Sequence, residues 1–334
     1  MNTQAVVPTN SLVDIATASA LIRQGVPLCL AGSAEAIAQL PAGAWIAGTI
    51  PYFMAEAGGV KASDRLFVTR FPEAEKITFA AYEADAIEQI VPHTPENGFA
   101  FAITPCGCAA LNRFALEGRD VEGAFLKPVV GWIAGVDLDR AASETPQVFL
   151  GTDRRPRKDG FVVAHVTLPE GKLATLSIVN IFQPDGGDTL RFVSSGYKAV
   201  ECLVNGAPRR LADYLRERNN ETGRLPLVGD LGGALINVSI KDVDPVSGQV
   251  TFYAPVFADT DYQIAKPVSD YAAAFDHELR ASATEPSAFA CNCILNYLHG
   301  SLEGRSTGGV HGPITFGEIA YQLLNQTLVM LHIH

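Results

Sequence analysis

The middle of this chain consists of short apolar segments separated by turn residues. Between residues 129 and 253, runs rich in Val, Ile, Leu and Phe are interrupted by Gly, Pro, Asn and Asp, as at Pro184-Asp185-Gly186-Gly187 and Asn205-Gly206. Such runs are typical of β-strands joined by tight turns. The chain therefore has to build sheets whose apolar faces need a cover.

Helical periodicity is confined to a few places. Apolar residues recur at helical spacing in several short segments, among them 11–24, 33–40, 211–218 and 270–282. Residues 316–331 also place their apolar side chains on one helical face, which predicts an amphipathic C-terminal helix with Glu318 near its beginning. Because strands and helices do not alternate regularly, we expect an α+β fold of mixed or antiparallel sheets layered with helices.

Length and charge restrict the class of protein. At 334 residues the chain exceeds the roughly 100–200 residues of a usual domain, so we expect two lobes. The formal charge of −11 disfavours a nucleic-acid partner. The dense basic run Arg154-Arg155-Pro156-Arg157-Lys158 is expected to be a solvated loop, with a phosphate site as the alternative.

The location is expected to be cytoplasmic. No apolar stretch reaches the ~20 residues that span a bilayer, so we expect no membrane partner. The first residues lack the basic and apolar parts of a secretory signal. Six cysteines are too few for a disulfide scaffold in a chain of this length and are expected to be thiols.

Six landmarks follow one another along the chain: residues 44–50, 128–135, 147–149 and 196–208, then Cys291 and Gly317-Glu318-Ile319. Their order and spacing resemble the FIST family, a two-part intracellular signal-transduction module with N-terminal and C-terminal FIST domains.

The resemblance implies a division of the chain. It predicts an N-terminal helical segment at 1–40, a FIST N-terminal-like domain at 41–192 and a FIST C-terminal-like domain at 193–334. It also implies a sensory protein that binds a small molecule, with amino acids as candidate ligands. Since the two halves use up the chain, the signalling output is expected to come from a separate protein or to be absent.

The candidate ligand-binding residues lie at strand ends and turns. They are Thr49, Tyr52, Trp132, Cys291, Asn292 and Glu318. A hydroxyl, an aromatic wall and a carboxylate can together orient a small organic ligand. For each residue alone a structural role is the competing interpretation, namely core packing for the aromatic residues and helix capping for Glu318.

Two further functions stay open for the cysteines. Cys291 is a candidate nucleophile of a cysteine-dependent enzyme. Cys106 and Cys108 could join Cys291 and Cys293 in a tetrahedral zinc or redox site if the fold brings both pairs together. Buried structural thiols are the simpler interpretation, and we predict no catalytic residue, no metal and no cofactor.

Overall fold

The computed structural model describes residues 8–231, 234–282 and 287–334. Its fold is α+β, with mixed and antiparallel sheets and short helices, which confirms the predicted fold class. One succession of elements occurs three times along the chain: strand, helix, strand, helix, strand, hairpin and strand. We call these three successions the first, second and third repeat.

The elements are as follows. The first repeat comprises β1 (Asn10–Asp14), α1 (Ile15–Arg23), β2 (Leu28–Gly32), α2 (Ala34–Ala38), β3 (Trp45–Thr49), β4 (Tyr52–Ala55), β5 (Gly58–Lys61) and β6 (Arg65–Thr69). The second comprises β7 (Lys76–Tyr82), a 3₁₀ helix (Ala84–Gln89) with α3 (Ile90–His93), β8 (Gly98–Pro105), α4 (Ala109–Glu117), β9 (Val129–Ala134), β10 (Val148–Leu150), β11 (Pro156–Arg157) and β12 (Phe161–Thr167).

The third repeat contains a large insertion. It opens with β13 (Ala174–Val179). The insertion comprises β14 (Leu190–Arg191), β15 (Gly196–Ala199), β16 (Glu201–Val204), β17 (Ala207–Arg210), α5 (Leu211–Glu217), β18 (Leu227–Leu231), β19 (Ala234–Val238), β20 (Ile240–Val243), β21 (Val250–Val256) and β22 (Asp261–Ile264). The repeat continues with α6 (Tyr271–Ser282), β23 (Phe289–Cys293), α7 (Ile294–His299), β24 (Gly312–Thr315), β25 (Glu318–Ala320), β26 (Gln322–Leu324) and β27 (Leu328–Ile333).

Each repeat forms a sheet around one parallel pair of strands. The parallel pairs are β2 with β3, β8 with β9, and β23 with β24. The last strand of the repeat lies antiparallel beside the first member of the pair, and the first strand of the repeat takes the edge. The sheets are therefore three versions of one topology.

The hairpins are exchanged between the repeats in a cycle. Strand β4 of the first repeat pairs with β24 of the third, and β25 of the third pairs with β9 of the second. Strand β10 of the second repeat pairs with β3 of the first. Because each six-stranded sheet is completed by a neighbouring repeat, the three repeats form one body.

The three sheets share an apolar core. Its members come from all three, for example Ile46, Phe101, Trp132, Cys291 and Val329. Helices cover the opposite faces, so that the central strands are buried on both sides. The insertion has a separate core around its two antiparallel sheets.

The predicted C-terminal helix over residues 316–331 is wrong. The segment forms β25, β26 and the start of β27. Left-handed backbone at Gly317 (φ 146°), Tyr321 (φ 62°) and Gln326 (φ 51°) interrupts any helix there. The apolar residues of β27 pack alternately into two cores, and a strand buried on both faces has a pattern that periodicity alone does not separate from a helix.

The predicted N-terminal helical segment is also corrected. Of its residues 1–40, the first seven lie outside the described residues, and the rest form β1, α1, β2 and α2. The predicted helix over 11–24 begins only at Ile15, where the Asp14 carboxylate accepts a hydrogen bond from the Thr17 amide at 2.7 Å.

The predicted helices over 33–40, 211–218 and 270–282 are confirmed in α2, α5 and α6. Within the described parts of the chain, no helix has both the length and the apolar composition needed to cross a membrane.

The predicted boundary between residues 192 and 193 stays a prediction. Sheets nevertheless run across it, since β13 pairs with β27 and β9 pairs with β25. The insertion begins close to the same point in the sequence, after β13.

Candidate functional site

Three linkers lead from a central strand to the hairpin that its repeat donates. Residues 50–51 join β3 to β4, and residues 316–317 join β24 to β25. The linker from β9 to β10 is much longer and spans the thirteen residues 135–147. Connections beyond roughly 12 residues are uncommon in compact folds and usually functional. The longest of the three linkers is therefore the best candidate for part of a functional site.

Apolar side chains fill the ends of the sheets at the two short linkers. Ile50 is completely buried in the shared core. Phe316 lies against Gly135, where an added Cβ would come within 2.2 Å of the Phe316 ring. These two connections are too short to do more than turn the chain into the next sheet.

The long linker encloses a polar cavity of about 300 Å³ where β2 and β3 end. Six of its lining residues carry the argument: Glu35, Thr49, Asp137, Arg140, Glu144 and Lys158. Ligand sites are commonly found outside the carboxyl ends of parallel strands. The volume is at the lower end of the range of small-molecule sites.

Thr49 fastens both ends of the long linker. Its hydroxyl donates to the Gly135 carbonyl at 2.7 Å and accepts from the Gln147 amide at 2.9 Å. The Thr49 backbone also bonds both residues, accepting from Gly135 at 2.8 Å and donating to Gln147 at 2.9 Å. Thr49 lines the cavity as predicted, but its hydroxyl is already used in shaping it.

Tyr52 supports the cavity wall from behind. Its hydroxyl donates to the Asp137 carboxylate at 3.2 Å and accepts from the Leu138 amide at 3.1 Å. Lys61 adds ion pairs of 2.7 Å to Asp137 and to Asp139. Burial opposes ionisation of Asp137, yet the bonds from Lys61 and the Asp139 amide outweigh it and lower its pKa. Asp137 is therefore a fixed anion of the wall.

The charges that line the cavity are unevenly paired. Arg140 bonds Glu144 at 2.5 Å and Glu35 at 3.5 Å. Lys158 has no carboxylate within 4 Å in the described part of the chain. A cavity with one unpaired ammonium group and carboxylates beside it can hold a molecule that carries both signs of charge.

Glu318 lies in a different environment. It belongs to β25, not to a helix N-terminus, and is fully buried. Its carboxyl accepts from the Thr327 hydroxyl at 2.7 Å, from the Thr327 amide at 3.3 Å and from the Thr315 hydroxyl at 3.4 Å. Burial raises the pKa of Glu318 to about 8, so the group is neutral at pH 7. Because Glu318 lies in a strand, the interpretation that it caps a helix is wrong.

Cys291 and Asn292 belong to β23 and lie near Glu318 of β25. The Cys291 thiol donates to the Gly131 carbonyl at 3.5 Å, and burial raises its pKa well above the usual value. The Asn292 side chain accepts from the Asn296 amide group at 2.9 Å. The adjoining void of about 10 Å³ has room for one water and no ligand. A thiol kept protonated in this way does not favour nucleophilic catalysis.

Trp132 is a core residue. It is 1% exposed, and an added Cβ on Gly48 would come within 2.7 Å of its ring. The indole and the glycine are therefore complementary in shape. Trp132 lines the shared core and not the cavity.

The two cysteine pairs do not form a metal centre in the described part of the chain. Among residues 8–231, 234–282 and 287–334, no three His, Cys, Asp or Glu side chains are grouped so that they could hold a metal ion. Cys108 instead caps α4, accepting from the Leu111 amide at 3.4 Å.

The predicted site residues are thus divided between two places. Thr49 and Tyr52 belong to the cavity and its wall, whereas Trp132, Cys291, Asn292 and Glu318 belong to the interior. Sequence reasoning missed the charged residues of the linker, chiefly Arg140 and Glu144. A signal existed, because a polar stretch of thirteen residues follows the buried strand β9.

The comparison with known families concerns nearly the whole chain. A sequence profile described as a family of unknown function, DUF6976, matches residues 13–334. The chain belongs to this family. The DUF6976 match begins within β1 and runs to the last residue, so it takes in all three repeats and the insertion. No curated protein matches the chain.

Proposed function

We propose that this protein is a sensor that binds a small, amino-acid-like molecule in the cavity beneath the linker 135–147. The observation that carries the proposal is the cavity itself, a polar space of about 300 Å³ at the carboxyl ends of β2 and β3 with both signs of charge in its lining. The resemblance to FIST modules supports the sensory role.

The charges suggest how such a ligand binds. Lys158 offers an unpaired cation to a carboxylate, and Glu35 and Glu144 offer anions to an ammonium group. Charge-assisted hydrogen bonds of this kind are about twice as strong as neutral ones. A zwitterion meets both requirements in one small molecule.

Binding is favoured over catalysis by the bonding of two lining hydroxyls and by the lack of His and Cys in the described lining. Ser33 donates to the Ser63 carbonyl at 2.6 Å and accepts from the Ala36 amide at 3.1 Å. Thr49 is likewise used in both directions. Neither His nor Cys is among the cavity-lining residues that the structure describes, so an activated nucleophile has no partner there.

A ligand would connect parts of two repeats. Glu35 belongs to the first repeat, whereas Arg140 and Glu144 lie in the linker that the second repeat donates. A ligand held between them would contact residues 138–144 of the linker, a surface that a separate output protein can recognise.

A thermal-shift screen of the common amino acids tests the proposal. We expect some of them to raise the melting temperature, because a ligand that binds only the folded state stabilises it. Lys158→Gln should weaken binding about tenfold, since it removes a charge-assisted hydrogen bond. Lys198→Gln removes an exposed lysine elsewhere and serves as the control. No response to any amino acid, or equal effects of the two variants, would contradict the proposal.

A further inference from the structure

A second recess on the outer side of the first sheet borders the cavity. This groove, of about 540 Å³, shares Ala34, Glu35 and Gln147 with the cavity. Its other side is formed by Phe149 and by the β10–β11 turn, including Arg154. Because Glu35 lies on the shared border, a molecule bound there can reach into both spaces.

Arg154 faces the groove without a carboxylate partner. It has left-handed backbone (φ 55°) at the turn, and its Nη1 donates to the Leu40 carbonyl at 3.3 Å. The neighbouring acid does not neutralise it, because Asp153 bonds Arg157 at 2.6 Å. The hydrogen bond from Arg157 lowers the pKa of Asp153 to about 2.

The pairing of charges leaves two cations and one carboxylate over. Of the acids lining the two recesses, Asp137 is paired with Lys61 and Asp153 with Arg157. Glu35 and Glu144 both meet Arg140. In the described part of the chain neither Lys158 in the cavity nor Arg154 in the groove has a carboxylate within 4 Å. Each of these two cations can therefore pair with an anionic group of a bound ligand.

We infer that the ligand is an amino acid with a second anionic group, whose ammonium lies at Glu35, whose α-carboxylate meets Lys158 and whose side-chain anion meets Arg154. The inference rests on the proposed function and deepens it by naming the ligand class. Phosphate and carboxylate both satisfy the guanidinium of Arg154, since both accept its paired donors.

Isothermal titration of the full chain tests this with two matched pairs of probes. L-serine is compared with O-phospho-L-serine, and L-glutamine with L-glutamate. We expect at least one anionic member to bind about tenfold more tightly than its neutral partner, as one charge-assisted hydrogen bond provides. Which pair shows the difference distinguishes a phosphate from a carboxylate.

Arg154→Gln should remove most of this preference and leave the affinity for the neutral member unchanged. Arg155→Gln is the matched control, since Arg155 belongs to the same basic run but lines neither recess. The inference is overturned if neutral members bind as tightly as anionic ones, or if both variants reduce the preference equally. Neutral amino acids that bind in a Lys158-dependent manner would then leave the proposed function intact. If no amino acid binds, both fail.

Discussion

The first and third sheets have the same topology but differ in the polar groups at their ends. These groups are buried and hydrogen-bonded in the third sheet and line a cavity in the first. At the end of β24 the Glu318 carboxyl is buried and accepts its hydrogen bonds from Thr315 and Thr327. At the end of β3 the charged side chains of the long linker face an open space of about 300 Å³. The linker 316–317 that leaves β24 has two residues, whereas the linker 135–147 that leads from β9 across the end of β3 has thirteen, and this difference in length accounts for the contrast. Repeats of one topology can thus differ in function, with one sheet end packed for stability and another lining a cavity that can bind a ligand.

Trp132→Ala addresses the closed interior and should have the largest effect. Removing a completely buried indole creates a cavity, and such changes cost about 3–5 kcal/mol of unfolding free energy. Urea denaturation measures the loss, with Trp132→Phe as the milder control. A loss below about 1 kcal/mol would show that the interior tolerates a cavity. The closed interior would then not differ from the open end in the tightness of its packing.

Glu318→Gln tests the closed end through pH. The pKa of Glu318 is raised from 4.5 to about 8, so the folded protein binds one proton more than the unfolded chain between these values. The contribution of Glu318 to the free energy of unfolding is complete below pH 4.5 and is lost as the pH rises towards 8. The loss is about 1.4 kcal/mol per pH unit and reaches about 3 kcal/mol by pH 7. Glu318→Gln should flatten this slope.

Glu35→Gln is the control for that experiment, because it removes an exposed carboxyl at the open end. Its denaturation midpoints should follow those of the wild type from pH 5 to 8. If Glu318→Gln keeps the wild-type slope, the carboxyl is ionised in the folded state and the description of the closed end is wrong.

Tyr52→Phe weakens the wall of the cavity at the open end. The change leaves the Asp137 carboxylate and the Leu138 amide without their shared partner, which should cost about 1 kcal/mol. It should also weaken binding of the amino acids found in the thermal-shift screen. Tyr297→Phe is the matched control, since the Tyr297 hydroxyl is buried without a partner in the described structure. Equal effects of the two changes would argue against a specific role for Tyr52.

Thiol labelling is expected to show the smallest effect. Cys106 is half-buried, whereas the other five cysteines are buried. Mass spectrometry after brief alkylation at pH 7 should therefore find Cys106 modified first and Cys291 unmodified in the folded protein. Rapid and selective alkylation of Cys291 would instead support the cysteine-dependent enzyme.

Local signals in the sequence were sufficient for part of the fold. Helices α5 and α6 follow from amphipathic spacing, and the α+β class follows from short apolar runs between turn residues. The helix predicted for residues 316–331 is wrong because apolar spacing fits a helix as well as strands packed against two cores. Tyr321 and Gln326 have left-handed backbone although neither is a glycine, so their residue types do not predict that a helix is interrupted there.

The site was only partly predictable for a related reason. Thr49 and Tyr52 were identified because they follow a buried strand. Arg140 and Lys158 are 18 residues apart and meet at the cavity only because β10 crosses to the first sheet. An exchange between repeats depends on pairing over long distances, which no local pattern encodes.

The most direct test is a crystal structure of the protein with the amino acid that raises its melting temperature most. We expect ligand density beneath residues 135–147, with the α-carboxylate at Lys158 and the ammonium at Glu35. Density beside Glu318 and Cys291, with the cavity unchanged, would contradict it.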